Sequence, residues 1–407
     1  MRRFLSRVLP LLLSFGLIFS CTGCSTVLVL AGKARENSEA SSSVISESSA
    51  SSGVISTPVP TEDGDLRAFY TDVANAESVT VMVYMIGSDL ESEDGSATDD
   101  LLEMADAALS ENVHLVLQTG GTETWWNDVC TDDESERFVI ENGDMTLLQS
   151  LGSMNMTDAD TLSDFIRFSA ESYPADRYEL ILWDHGGGTM TGFGYDELYE
   201  DTSLTLSSLS TALYNGGVQF DFIGFDACLM ATAEVAYALD PYADYLIASE
   251  ESEPGEGWAY KNWLTMLAED PAVPTAELGK KLADDFLEAY IFADMPTLSV
   301  LDLRYVPELY AALESYWGSA YTALQNGSYG AFSQVRNNVR EFGDNEYDQV
   351  DLSDLATLTK QSLSLGTEDD VQAAVQNMVV YNVTYEKSAA GIAVYFPPRL
   401  AAKTSPQ

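Results

Sequence analysis

Cys228 ends an apolar run, Phe220 to Ala227, and His185 ends another, Tyr178 to Asp184, with Gly186, Gly187 and Gly188 directly behind the histidine. A thiol at one strand end and an imidazole at another is how an α/β sheet presents a cysteine nucleophile and its general base. The chain holds two histidines and four cysteines, so few other pairings compete. Ionising the thiol is the difficulty. A free cysteine titrates near about 8.5, and no Lys or Arg stands between Arg177 and Lys261, where Asp and Glu recur. The imidazole is therefore expected to be essential, helped by the N-terminal dipole of a helix read from Met230 to Leu239. Gly186 permits close approach of a substrate backbone, and its N–H with that of Cys228 is the expected donor pair for an oxyanion. Asp226 is two residues before Cys228 and shares its strand face. A carboxylate there is costly beside a thiolate unless a cation occupies the site, which points to a pocket for a Lys or Arg side chain. Capping of the following helix is the other reading of Asp226.

These groups need a scaffold, and the surrounding pattern supplies one. Strand-like runs at Val79 to Met85, Val113 to Leu117 and Tyr245 to Ser249 join the histidine and cysteine runs. Helix-like stretches at Thr98 to Leu109, from an N-cap at Thr161, at Leu204 to Leu213 and at Met230 to Leu239 alternate with them. Cys130 to Gln149 reads as a hairpin excursion about Asn142-Gly143. Such alternation predicts a mostly parallel sheet covered on both faces, with functional groups at the C-terminal strand ends. Asp89, His185, Cys228 and Glu250 all lie at such ends. Arg304 to Val379 reads as mainly helical, between strands Leu298 to Asp302 and Ile392 to Phe396, and packed on the same sheet. His114, in mid-strand, reads as structural. The acidic clusters Glu91 to Asp100 and Asp344 to Asp354 lack EF-hand spacing and read as solvated faces rather than calcium sites. No cofactor is required by the pattern, and no metal ligands are assigned.

With 19 basic against 65 acidic residues the formal net charge is −46, which argues against nucleic acid as a partner, since phosphate contacts need clustered Lys and Arg. Arg2, Arg3 and Arg7 precede an apolar stretch from Val8 to Phe19 and then Cys21-Thr22-Gly23-Cys24, the pattern of a signal peptide. Thr22-Gly23-Cys24 resembles a bacterial lipobox, which implies lipidation of Cys24 and a place on the outer face of the cell membrane. Residues 25–77 are Ser-rich and read as a tether. The domain reading is then 78–303 for a catalytic core, 304–397 for a helical subdomain with a closing strand, and 398–407 for a tail.

At Val79 to Met85, Leu182 to Gly188, Phe225 to Met230 and Ser249 to Gly255 the chain resembles the clostripain-like cysteine peptidases, relatives of gingipains, legumains and caspases. The resemblance implies a caspase-like three-layer α/β/α sandwich and cleavage of peptide bonds after Arg or Lys. It implies a His185/Cys228 dyad with Asp226 in the pocket for the basic side chain. A second acidic residue lines that pocket in the family; Glu250 and Glu256 both qualify here. Calcium dependence occurs in the family, but no motif carries it over to this chain. Some relatives cut themselves after a basic residue between histidine and cysteine, yet Gly186 to Ala227 contain neither Lys nor Arg. Self-cleavage is therefore expected only elsewhere, for example at Arg35 or Arg67. Two other readings stay open: a non-catalytic peptide-binding lipoprotein of the same fold, and a cysteine-dependent amidase acting on cell-wall peptides.

Overall fold

Val79–Ile86 (β1) is buried along its whole length, as a strand covered on both faces must be. It belongs to a computed structural model that describes residues 66–398, except 200–201, 291–295, 344–345 and 386–387. The signal sequence, Cys24, Arg35, most of the tether and the tail lie outside the described residues. Eleven further strands follow in chain order: β2 (Val113–Gly120), β3 (Ser135–Glu141), β4 (Asp144–Gly152), β5 (Arg177–Trp183), β6 (Phe220–Asp226), β7 (Ala243–Ala248), β8 (Thr297–Asp302), β9 (Glu341–Phe342), β10 (Gln349–Asp351), β11 (Val379–Thr384) and β12 (Ala393–Tyr395).

Nine of them form one sheet in the order β11-β8-β7-β6-β5-β1-β2-β3-β4. The five central strands, β7-β6-β5-β1-β2, are parallel, and the outer pairs are antiparallel. The expected hairpin about Asn142-Gly143 is β3–β4, with both turn residues at positive φ as a two-residue turn of this type demands. Helices Ser96–Ala105, Tyr260–Glu269 and Thr275–Ala289 cover one face; Ala159–Ser172, Leu206–Gly216 and Ala233–Leu239 cover the other. The C-terminal helices Val306–Gln325, Leu352–Ser362 and Glu368–Met378 share the second core. The architecture is a three-layer α/β/α sandwich. β12 does not close the large sheet. It pairs with β10, and β10 with β9, in a small separate sheet.

Strand order reverses between β1 and β5. β2 continues outward from β1, whereas β6 and β7 continue from β5. Such a switch point opens a crevice at the C-terminal strand ends, and His185 lies there.

Several local expectations change. The helix after Cys228 starts at Ala233, capped by the Thr232 hydroxyl, and not at Met230. Cys228 therefore lies on a connecting loop and gains no helix dipole, and Asp226 is no cap. Asp158 rather than Thr161 caps the helix Ala159–Ser172. Glu91 and Asp100 are buried, not part of a solvated face. At Arg67 the guanidinium is engaged: it donates to the Asp240 and Asp244 carboxylates and to the Ala243 carbonyl, and lies over Tyr70, while Leu66, Phe69 and Tyr70 beside it are exposed. No helix among the described residues is long and apolar enough to cross a membrane.

Candidate active site

β5 and β6 are hydrogen-bonded neighbours in a register that puts Trp183 opposite Asp226. The two loops that leave them must start side by side. The Asp184 N–H donates to the Asp226 carbonyl at 3.2 Å, and a side chain at Gly186 would overlap the Cys228 carbonyl. The loops that carry His185 and Cys228, 43 positions apart by their numbers, are thus made neighbours by strand pairing. Cys228 is buried. The Glu253 N–H lies 3.3 Å from its Sγ, and Sγ lies 3.8 Å from the Glu253 carbonyl oxygen. The N–H can donate to the sulfur and the carbonyl can accept from a thiol S–H, so Glu253 holds the side chain in place in either form.

On the other side of β5, β1 delivers Asp89. Its Oδ1 lies 2.6 Å from His185 Nε2. The preceding pair reinforces this arrangement: Ser88, held at a left-handed φ of 48°, donates from its hydroxyl to Asp184 Oδ1 at 2.7 Å. The Tyr195 N–H donates to the other oxygen of Asp184. A non-glycine residue in that conformation costs of order 1–3 kcal/mol, and the buried Asp184 carboxyl holds it. Burial pushes Asp184 up to about 7, against the lowering effect of the His185 charge and the Ser88 hydrogen bond. Burial also acts to raise Asp89, but the hydrogen bond and charge of His185 outweigh it and hold Asp89 below the usual carboxylate range. The sequence had Asp89 at a strand end without a role. Its partner was hidden because the pairing depends on β5 lying next to β1.

Asp226 is enclosed beneath the cysteine loop. Its Oδ2 accepts from the Trp258 N–H at 3.0 Å and from the Tyr260 hydroxyl at 2.7 Å. The acidic group that meets it is Glu253, not Glu250 or Glu256. Glu250 faces Asp351 and accepts from the Gly391 N–H at 2.7 Å, while Glu256 is exposed. Glu253 accepts from Trp258 Nε1 through one oxygen, and its other oxygen has no hydrogen-bond donor. Two buried carboxyls in contact hold together by sharing a proton. Burial is the main cause that raises Asp226 to about 7. Asp100, which accepts from Trp183 Nε1 at 2.6 Å, adds a third buried acid to this cluster. Among the described residues these three carboxyls have no basic side chain as a hydrogen-bond partner, an arrangement suited to a cationic side chain. His114 is a structural residue in β2, its ring 5.3 Å from that of Tyr173. Among the described residues no group of three or more His, Cys, Asp or Glu side chains is placed to hold a metal ion.

Residues 83–397 match the model of the clostripain family. Clostripain from Hathewaya histolytica is 35% identical over 123 residues, which span 26% of this chain and 23% of that protein. Among solved structures, an inactive zymogen protease from Parabacteroides distasonis is similar, with TM-score 0.61 and 22% identity over 78% of this chain and 92% of its own. A secreted cysteine protease from Bacteroides thetaiotaomicron, in complex with an irreversible peptide inhibitor, gives TM-score 0.62 and 19% identity over 81% and 94%. At those identities the structural likeness speaks for the fold alone.

Proposed function

The chain belongs to the clostripain family, and on that premise we propose that it is a cysteine endopeptidase that cleaves after Arg or Lys. The observation that carries the proposal is the meeting of three strand ends at the sheet's switch point. Cys228 leaves β6, His185 leaves β5, and Asp89 follows β1 with its carboxylate on the imidazole. In this reading Asp89 accepts from Nε2–H and leaves Nδ1 to take the thiol proton. The thiolate then attacks the peptide carbonyl, and the N–H groups of Gly186 and Cys228 receive the oxyanion. The imidazolium returns its proton to the leaving amine, and water, activated by the same base, hydrolyses the thioester.

The buried carboxyls Asp226 and Glu253 favour a cationic residue on the acyl side of the cut bond, because a guanidinium or ammonium replaces the proton they share. Cys24 would anchor the enzyme outside the membrane, and loss of lipid labelling in Cys24→Ser would test that part. A fluorogenic peptide panel carrying Arg, Lys, Asp or Asn before the scissile bond tests the rest. Turnover of Arg and Lys peptides is expected, and is expected to vanish in Cys228→Ala with the fold retained. Equal turnover of all four, or hydrolysis that survives Cys228→Ala, would rule the proposal out.

A further inference from the structure

The histidine and cysteine loops are neighbours, but neighbouring backbones can slide, and a nucleophile and its base tolerate little error. One buried side chain from a distant part of the chain spans both loops. Gln349, in β10, is fully buried. Its Oε1 accepts from the Thr189 N–H of the histidine loop at 3.0 Å, and its Nε2 donates to the carbonyl of Leu229, the residue after Cys228, at 3.3 Å. The amide can sit only one way round. The Thr189 N–H can only donate and the Leu229 carbonyl can only accept, so a flipped amide would set donor against donor and acceptor against acceptor.

The surroundings show that both loops are shaped to meet this amide. Gly188 is at φ 52°, and any side chain there would overlap Gln349 Oε1 and the Leu229 carbonyl. Leu229 is itself at φ 68°, a conformation a leucine keeps only when its neighbours enforce it. Its N–H donates to the Glu251 carbonyl at 3.1 Å, its carbonyl is held by Gln349, and its side chain is buried with Phe342 of β9. A second tie runs in parallel. The Thr189 hydroxyl reaches Thr232 at 3.2 Å and Glu234 at 3.1 Å, and Glu234 accepts from the Tyr395 N–H of β12 at 3.2 Å.

We infer that Gln349 is a positioning residue for the proposed peptidase, a strut by which the small C-terminal sheet fixes the spacing of thiol and imidazole. The inference rests on the peptidase reading for its kinetic readout, but not for its chemical one. Gln349→Leu keeps the volume and removes both hydrogen bonds. It is expected to lower kcat by about 10- to 100-fold, the scale of a misplaced catalytic group, with KM changed less than about threefold. Alkylation of Cys228 by iodoacetamide, followed by peptide mapping so that Cys130 is not counted, is expected to lose its imidazole-assisted rate near neutral pH. Gln349→Glu keeps the acceptor toward Thr189 and faces Leu229 with a carboxyl, which must be protonated to donate. That variant is expected to match the wild type at pH 5 and to lose activity as pH rises.

A Leu variant with wild-type kcat and alkylation profile would overturn the inference whatever its melting temperature. If the Leu variant does not fold, the Glu variant decides: a pH profile superimposable on the wild type would equally overturn it. Absence of peptide turnover in the wild type would strike the proposed function instead, and the alkylation profiles would still judge the strut.

Discussion

Asp89→Asn is the substitution whose outcome depends most directly on the geometry of the site. The Asp89 carboxylate lies 2.6 Å from His185 Nε2 and can only accept, so it selects the tautomer with a proton on Nε2 and a bare Nδ1. An asparagine can instead turn its NH2 toward Nε2, which selects the opposite tautomer and leaves nothing to take the thiol proton. A fully buried aspartate in such a role is worth about 10⁴ in kcat, as in the serine protease triad. Here the Asp89 side chain is 34% exposed and that of His185 19%, so water screens the contact and competes for it. A hydrogen bond to a charged group contributes about 1.5–3 kcal/mol. Discounted to the lower end for exposure, this gives about a 10- to 30-fold loss of kcat. Asp89→Ala, which lets water choose the tautomer, is expected to lose no more than Asn does. The assay is kcat against pH on the best Arg or Lys peptide, with melting temperature as a check on folding. Wild-type kcat in folded Asp89→Asn would refute the tautomer argument and reduce Asp89 to a surface ion pair.

Three further outcomes follow from the same structure. Burial raises Asp226 to about 7, and a cationic side chain favours its ionised form, so KM for Arg and Lys peptides is expected to fall as pH rises from 6 to 8; a flat KM, or the same slope in Asp226→Asn, would remove Asp226 from the pocket. Mass spectrometry of active enzyme is expected to find the chain intact between His185 and Cys228 and uncut at the tethered Arg67, whereas stoichiometric self-cleavage inside Gly186 to Ala227 would contradict a demand for Arg or Lys before the cut. Buried Glu179, Asp184, Asp226 and Asp351 are raised to between about 6 and 8, chiefly by desolvation, against roughly 4 in the unfolded chain. The folded state then binds more protons than the unfolded one, and stability is lost as pH rises from about 4 through that window; the lowered acids Asp89, Asp164, Asp176 and Asp284 are ionised in both states there and change stability only below about pH 4. A melting temperature roughly 5 °C higher at pH 5 than at pH 8 is expected, and a melting temperature that rises with pH would show the opposite balance.

The sequence by itself was enough for those features that local chemistry decides. Runs of mainly apolar residues, without polar alternation, marked β1, β5 and β6 because strands covered on both faces have no solvent side to advertise, and Asn142-Gly143 marked the hairpin because few residues accept positive φ twice in succession. The ends of those runs put a thiol and an imidazole at the sheet's C-terminal edge, and the motifs around them carried the family. Where the helix after Cys228 begins is not decided by local sequence, since small residues from Met230 onward suit a helix or a packed loop equally, and the Thr232 cap sets it at Ala233.

Everything that positions the dyad came from the order of strands. Asp89 meets His185 across 96 residues, and Gln349 reaches Thr189 and Leu229 across 160 and 120. Glu253, rather than Glu250 or Glu256, meets Asp226 because the loop after β7 turns back over β6 and sends Glu250 toward Asp351. One-dimensional spacing carries no trace of such contacts. They exist because β5 lies between β1 and β6, and because a three-stranded sheet from the C-terminal third packs against the loops that leave β5 and β6.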